Sequence, residues 1–316
     1  MAKALVLLGE GEPIGIPTET VYGLAADATN GAAVTRIYEA KGRPSFNPLI
    51  AHVSSMEMAE ANAVFDPLSR RLAERFWPGP LTLVLPLRAG SPIHPLVTAG
   101  LETVGLRMPT GFAAELIREF GRPLAAPSAN RSGSVTGTTA QAVAADLGNR
   151  IRLVVDGGPS RVGVESTIVK VEGDRLRLLR PGGIASEQIE EAAGVALERG
   201  LASGIEAPGM LASHYAPSAR VRPDADAVGP GEALLGFGPR RVPGAERAAA
   251  VLNLSERADL AEAATNLFGY LKALDHRGAT SIAVEAIPHH GLGEAINDRL
   301  RRAAAPRPTD GAVSST

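Results

Sequence analysis

Three features of the sequence predict an α/β protein in two parts. Its 316 residues exceed one typical core, short apolar runs alternate with stretches of helical period, and the pattern breaks at residues 198–218 before restarting. The sequence therefore divides into a larger region, 1–197, a linker, 198–218, a small open α/β region, 219–305, and a polar tail, 306–316, expected to be disordered.

Ala2–Leu8 reads as a short helix and Ile14–Thr18 as a strand. The Thr18-Glu19-Thr20 triplet at its end is either β-propensity followed by a turn or a set of polar groups facing a crevice. Val34, Ile37, Tyr38 and Lys41 share one helix face, and Gly42 with Pro44 stops that helix, so Lys41 and Arg43 sit at its exit. Pro48–Val53 is a short apolar strand that carries His52 back toward those two cations. Glu57–Ala63 and Pro67–Phe76 are helical, and Trp77-Pro78-Gly79-Pro80 ends the second. Leu81–Leu87 has the period of a strand, and Thr103–Pro109 is another strand with Arg107 inside it. A buried arginine needs a partner, so Arg107 is either in a structural ion pair or aimed at a ligand anion.

Gly111–Phe120 is helical, and Pro123–Ser134 runs from a strand into small polar residues, where Ser128 and Asn130 either cap the helix starting near Thr139 or face a ligand. Ile151–Asp156 reads as a strand. Ser166–Arg180 is a hairpin turning through Glu172-Gly173-Asp174, and Ser186–Leu197 is an amphipathic helix. Beyond the linker, strands at 233–237, 249–254 and 281–287 alternate with helices at 258–276 and 293–304.

Composition narrows the function. Forty-five per cent apolar and 21% charged residues describe a soluble globular protein, and a net charge of −2 gives no general attraction to nucleic acid or anionic membrane. With no cysteine there is no disulfide, no thiolate nucleophile and no zinc site of the Cys type, which suits a reducing cytoplasm. Ala4–Leu8 is too short for a signal peptide, and no run reaches the roughly 18 apolar residues of a membrane span. The chain lacks a Gly-x-x-x-x-Gly-Lys-Ser/Thr loop, a His-Glu-x-x-His pair and a Gly-x-Ser-x-Gly elbow. Gly236-Phe-Gly238 and Gly291-Leu-Gly293 lack the third glycine of a dinucleotide loop, and His289-His290 reads as a surface pair. What remains is a set of cations, Lys41, Arg43, Arg107 and Arg180, with small polar groups, Thr20, Asn47, Ser128, Asn130 and Ser166. That set suits a polyanion whose leaving group is stabilised by charge, as in nucleotidyl transfer.

Six motifs in order, Pro17-Thr-Glu-Thr-Val-Tyr-Gly-Leu, Lys41-Gly-Arg-Pro, Asn47-Pro-Leu-Ile, Val104-Gly-Leu-Arg-Met-Pro, Ala126-Pro-Ser-Ala-Asn and Glu165-Ser-Thr-Ile-Val, resemble the YrdC-type threonylcarbamoyl-AMP synthases. Pro208-Gly-Met and His214-Tyr-Ala-Pro resemble the linker of the longer, two-domain members. The resemblance implies an N-terminal twisted mixed sheet with helices and a small Rossmann-like C-terminal domain. It implies the joining of L-threonine, bicarbonate and ATP into threonylcarbamoyl-AMP and pyrophosphate, the first step of tRNA threonylcarbamoyl-adenosine synthesis. It assigns L-threonine to Thr20, His52, Arg107 and Ser166, and ATP to Lys41, Arg43, Asn47, Thr103, Ser128, Asn130, Thr136, Arg180 and His214. Thr136 stands where a serine is common. Lys41 and Arg43 are the expected catalytic cations, and Tyr215 belongs to a lid formed by the linker. Mg²⁺ is expected on the triphosphate, held by phosphate oxygens and water and not by a protein metal site. A downstream tRNA-modifying transferase complex is the expected receiver of the product, without stable direct tRNA binding. The rival readings are an RNA-binding module and a carbamoyl-adenylate-forming domain.

Overall fold

The computed structural model describes residues 1–200, 204–210 and 214–306. The chain packs as two units, one of Met1–Ser132 with Thr136–Met210, the other of Gly133–Val135 with the chain from Leu211 onward. The sequence places a linker at 198–218; packing divides that stretch at Met210, and the tail from 307 lies outside the described residues.

The first unit is a nine-stranded mixed sheet. Its elements are α1 (Ala2–Gly9), β1 (Ile14–Ile16), β2 (Gly23–Asp27), α2 (Gly31–Lys41), β3 (Ile50–His52), α3 (Met56–Asn62), α4 (Pro67–Phe76), β4 (Leu81–Pro86) and α5 (Pro95–Thr98). They continue with β5 (Thr103–Arg107), α6 (Phe112–Phe120), β6 (Leu124–Ala125), α7 (Ala140–Leu147), β7 (Thr167–Glu172), β8 (Arg175–Arg180), α8 (Ser186–Ala193) and β9 (Leu197–Glu198). Spatial order is β1-β2-β6-β3-β5-β4-β7-β8-β9, with β3–β5, β4–β7 and β8–β9 parallel and the other pairs antiparallel.

Local chemistry sets the elements that matter most. The Asn30 side chain caps the first N–H groups of α2, and Gly42 at φ 58° closes it, so Lys41 ends the helix with its side chain turned inward. In β4, Leu81, Leu83 and Leu85 enter the main core with Val34, Ile37 and Leu106. The alternate residues are buried too. Val84 packs with Ile50, Ile168, Leu179 and Ala207, so residues 206–210 cover the opposite face of the sheet.

Several expectations are corrected. β2 has no counterpart in the sequence reading, because its small residues, Gly-Leu-Ala-Ala-Asp, show no alternation. Residues 151–156 form no strand, only an isolated bridge between Val154 and Gly15. The hairpin turns through two residues, since Glu172 pairs directly with Arg175 and Gly173 supplies φ 63°. The helix from Ser186 stops at Ala193 because Gly194 turns left-handed at φ 72°, and Leu197 then pairs with Leu176.

The second unit is a four-stranded parallel sheet, β10 (Arg220–Arg222), β11 (Ala233–Gly236), β12 (Val251–Asn253) and β13 (Ser281–Val284), in the order β10-β13-β11-β12. Helices α9 (Leu260–Asp275) and α10 (Leu292–Ala304) complete it, α9 burying Ala264, Leu267, Phe268, Leu271 and Leu274. The short strand β10 was not foreseen, since Arg220 and Arg222 flank a single apolar residue. His289 and His290 are exposed, as the sequence suggests.

Candidate active site

Parallel pairing of β3 with β5 places His52 directly opposite Arg107. Both are buried. Arg107 donates from Nη2 to Glu19 Oε1 at 2.6 Å and from Nε to the Gly79 carbonyl at 3.2 Å, while Glu19 Oε2 accepts the Thr110 N–H at 3.2 Å. Of the two partners open to Arg107, the ion pair is thus present. A guanidinium carries five N–H donors, and this pair leaves some of them for a ligand anion. Burial, reinforced by the Arg107 charge, lowers the His52 pKa to about 3, so the ring is neutral. Its Nδ1 is buried and has no hydrogen-bond partner among the described residues. Thr20, fully buried, shares a hydrogen bond with the Thr18 hydroxyl at 2.9 Å. Ser166 Oγ meets the Thr82 hydroxyl at 2.7 Å and accepts from Arg180 Nη2 at 3.1 Å.

A second set surrounds Lys41. The strand β6 continues into a loop whose Pro127 and Ala129 exchange main-chain bonds with Leu24 and Tyr22, bringing Ser128 and Asn130 to the exit of α2. There Lys41 Nζ donates to the Ser128 and Asn130 carbonyls at 2.5 Å each and lies 3.4 Å from Asn130 Oδ1. Desolvation, with Arg43 repelling it, pushes the Lys41 pKa well below that of an ordinary lysine, while three oxygen acceptors favour its ammonium. Arg43 donates to the carbonyls of Asn47 at 3.2 Å and Pro48 at 2.8 Å. Asn47 is buried, and its Oδ1 lacks a hydrogen-bond partner among the described residues. Arg180 belongs with Ser166 in the first set, donating to the Ser166 carbonyl at 2.9 Å and to the Pro208 carbonyl at 3.4 Å. Thr136 donates to Glu165 Oε1 at 2.9 Å.

The structure therefore gathers His52, Arg107, Thr20, Ser166 and Arg180 around the centre of the sheet, and Lys41, Arg43, Asn47, Ser128 and Asn130 around the exit of α2. Thr103 starts β5, four residues before Arg107, or about 13 Å along the strand, and lines a small cavity with Thr82, Glu206 and Pro208. His214 and Tyr215 belong to the second unit. Three participants escape the sequence reading: Glu19, Glu165 and Thr82. Glu19 sits inside a quoted motif, but its partner is 88 residues away and no local pattern announces it.

Among the residues of this site, four buried cations, Lys41, Arg43, Arg107 and Arg180, accompany two buried carboxylates, Glu19 and Glu165. Such a surplus of positive charge beside neutral polar groups holds an anionic ligand and stabilises a leaving phosphate. Residues 6–182 match the family described as "Telomere recombination" (Sua5, YciO and YrdC), and residues 184–305 match "Threonylcarbamoyl-AMP synthase, C-terminal domain". The fold is that of a YrdC-class α/β protein. The chain is 44% identical to the threonylcarbamoyl-AMP synthase of Bacillus subtilis, over 97% of this chain and 93% of that one. It is 41% identical to that of Pyrococcus abyssi, over 94% and 92% respectively. The crystal structure of P. abyssi Sua5 complexed with L-threonine superposes with a TM-score of 0.85 at 39% identity, covering 96% of this chain and 93% of that one. This chain belongs to the threonylcarbamoyl-AMP synthase family. Full-length HypF, at 17% identity and a TM-score of 0.52 over 57% of this chain and 28% of its own, shares the fold alone.

Proposed function

We propose that the chain makes threonylcarbamoyl-AMP and pyrophosphate from L-threonine, bicarbonate and ATP. The observation that carries this reading is the neutral His52 opposite the buried guanidinium of Arg107 across β3 and β5, together with the buried cations Lys41 and Arg43 at the exit of α2 and Arg180 beside Ser166. Arg107 receives the threonine carboxylate, and the open Nδ1 of His52 with the hydroxyls of Thr20 and Ser166 receives its polar atoms. The threonine nitrogen attacks bicarbonate carbon, and loss of water leaves a carbamate. A carbamate oxygen then bonds the α-phosphorus of ATP as the bond to the β-phosphate oxygen breaks, releasing pyrophosphate. Lys41, Arg43 and Arg180 lower the cost of the charge that gathers on the departing phosphates, and Asn47, Ser128, Asn130, Thr136 and Thr103 orient the nucleotide.

Mg²⁺ fits this donor set as an ion carried by the nucleotide. Glu165, bonded to Thr136, is a buried carboxylate that would complete its shell through water, and the ion would neutralise phosphate charge. Among the described residues no helix is long and apolar enough to cross a membrane. We place the reaction in the cytoplasm, with a tRNA-modifying transferase complex taking the adenylate from it.

Pyrophosphate release measured with threonine, bicarbonate and ATP omitted in turn tests the reading. Release should require all three and should favour threonine over serine by about 10- to 200-fold, the worth of one methyl in a fitted pocket. Release that persists without threonine contradicts it.

A further inference from the structure

Tyr22, from the Pro17–Leu24 motif, is fully buried in the main core of the first unit. Burial raises its pKa above the ordinary tyrosine value, so the phenol keeps its proton and acts as donor and acceptor together. It donates to the Gly158 carbonyl at 2.8 Å and accepts the Gly157 N–H at 3.1 Å. Those glycines begin an irregular segment, residues 157–163, that lies along the turn of Thr18, Glu19 and Thr20. Val162 N donates to the Glu19 carbonyl at 2.9 Å, and Gly163 N to the Thr20 carbonyl at 3.0 Å. The segment is close-fitting at its start as well, since a Cβ on Gly157 would stand 2.7 Å from Cγ of Pro17. The turn is wound on the Thr18 hydroxyl, which donates to the Val21 carbonyl at 2.6 Å and accepts the Thr20 N–H at 3.2 Å, so residues 18–21 shift as one piece.

The backbone of Tyr22 holds a different part of the site. Its N–H donates to the Gly137 carbonyl at 3.1 Å, and its carbonyl accepts the N–H of Ala129, between Ser128 and Asn130, at 2.8 Å. Phenylalanine would keep those backbone bonds and fill the same space without burying a polar atom, so the hydroxyl is explained by the segment it fixes. Gly157 is exposed and Gly158 half-buried, so water can satisfy their polar groups once the hydroxyl is gone, and its loss leaves no orphan in the core.

We propose that Tyr22 is a positioning residue for the amino-acid side of the reaction. Its hydroxyl clasps residues 157–163 onto the turn at 18–20, and the clasped segment fixes Glu19, the partner of Arg107, together with Thr20. The proposal rests on the synthase reading, in which Arg107 and Thr20 receive threonine.

The test uses the full chain with Tyr22→Phe, Gly157→Ala and Ile189→Val. Thermal melts, calorimetric threonine affinity, and KM and kcat for threonine and ATP are measured for each. Tyr22→Phe should weaken threonine binding and raise the threonine KM about 3- to 10-fold, the scale of one or two neutral hydrogen bonds, while the ATP KM stays put. Gly157→Ala pushes the same segment off Pro17 and should give the same split with the phenol intact. Ile189→Val removes one methyl from the buried side of α8; it should lower melting and leave the threonine KM at the wild-type value. Where Tyr22→Phe fails to fold, Gly157→Ala carries the same expectation. Lowered melting with wild-type threonine KM and affinity overturns the proposal, since the phenol would then be a structural bond alone, and so does an equal rise of KM for both substrates. A wild-type chain that neither binds threonine nor makes the adenylate overturns the synthase reading and this proposal together, whereas unaltered threonine binding in variants of an active enzyme overturns this proposal only.

Discussion

In the second unit Arg241 lies against Glu285, and Arg299 bonds Asp298 at 3.0 Å, whereas in the first unit Lys41, Arg43 and Arg180 direct their N–H groups at main-chain carbonyls. A carbonyl satisfies the hydrogen bond without cancelling the charge; a carboxylate does both. The first unit thus places four buried cations beside two buried carboxylates, Glu19 and Glu165, and in the second Arg241 and Arg299 each meet a carboxylate. Arg107 stands between these cases. Glu19 balances it on one side, which fixes the guanidinium while leaving donors for a ligand carboxylate.

The largest expected effect comes from breaking that one balanced pair. Glu19→Ala leaves a buried arginine without its carboxylate, a change that costs about 3–5 kcal/mol of stability. Denaturant unfolding of the full chain checks this, and a loss below about 1 kcal/mol, the worth of an exposed pair, would mean the Arg107 charge is balanced some other way. Lys41→Ala comes next. Turnover should fall about 100-fold if the ammonium serves the transition state. Stability should fall as well, by about 1–3 kcal/mol, because the Ser128 and Asn130 carbonyls lose their donor. Melting curves beside turnover numbers separate the two effects, and an unchanged turnover would reduce Lys41 to a clamp on its loop.

A smaller effect is a pH slope from His52. Its pKa is about 3 in the folded chain and near 6.5 when unfolded, so between these values the unfolded chain binds the extra proton. Folding stability from this group is therefore complete above about pH 6.5 and is lost as pH falls, by about 1.4 kcal/mol per unit while the ring stays buried and neutral. Urea unfolding across pH 4 to 7 should show the slope, and His52→Gln should lessen it; an identical slope in both proteins would place the titration elsewhere.

The local parts of this architecture are legible in the sequence, and the non-local parts are not. Asn30, the apolar face of Val34, Ile37 and Tyr38, and Gly42 define α2 within a dozen residues, so Lys41 could be placed at its exit without coordinates. The acceptors of Lys41 could not. They are main-chain carbonyls 87 and 89 residues away, and a carbonyl leaves no mark in a sequence. Glu19 is hidden for a related reason: within Thr18-Glu19-Thr20 it reads as turn chemistry, and only the approach of β5 turns it into the partner of Arg107. β2 is buried on both faces, so the alternation that marks a half-exposed strand is absent, and its Gly, Ala and Asp residues lack the branched apolar run that marks a fully buried one. The four cations are legible from motif order and residue type, which survive without knowledge of contacts; the groups they meet, main-chain carbonyls for Lys41, Arg43 and Arg180 and Glu19 for Arg107, needed the fold.

The contrast between the two units is tested most directly by calorimetric titration of ATP into the full chain carrying either Arg43→Ala or Arg241→Ala. Each substitution removes one arginine, the first directed at carbonyls in the nine-stranded unit, the second matched to Glu285 in the four-stranded one. Arg43→Ala should weaken ATP binding by about 10-fold or more, the scale of a desolvated charged contact to phosphate, and Arg241→Ala should leave it at the wild-type value. Equal losses in both variants, or a loss confined to Arg241→Ala, would contradict the account.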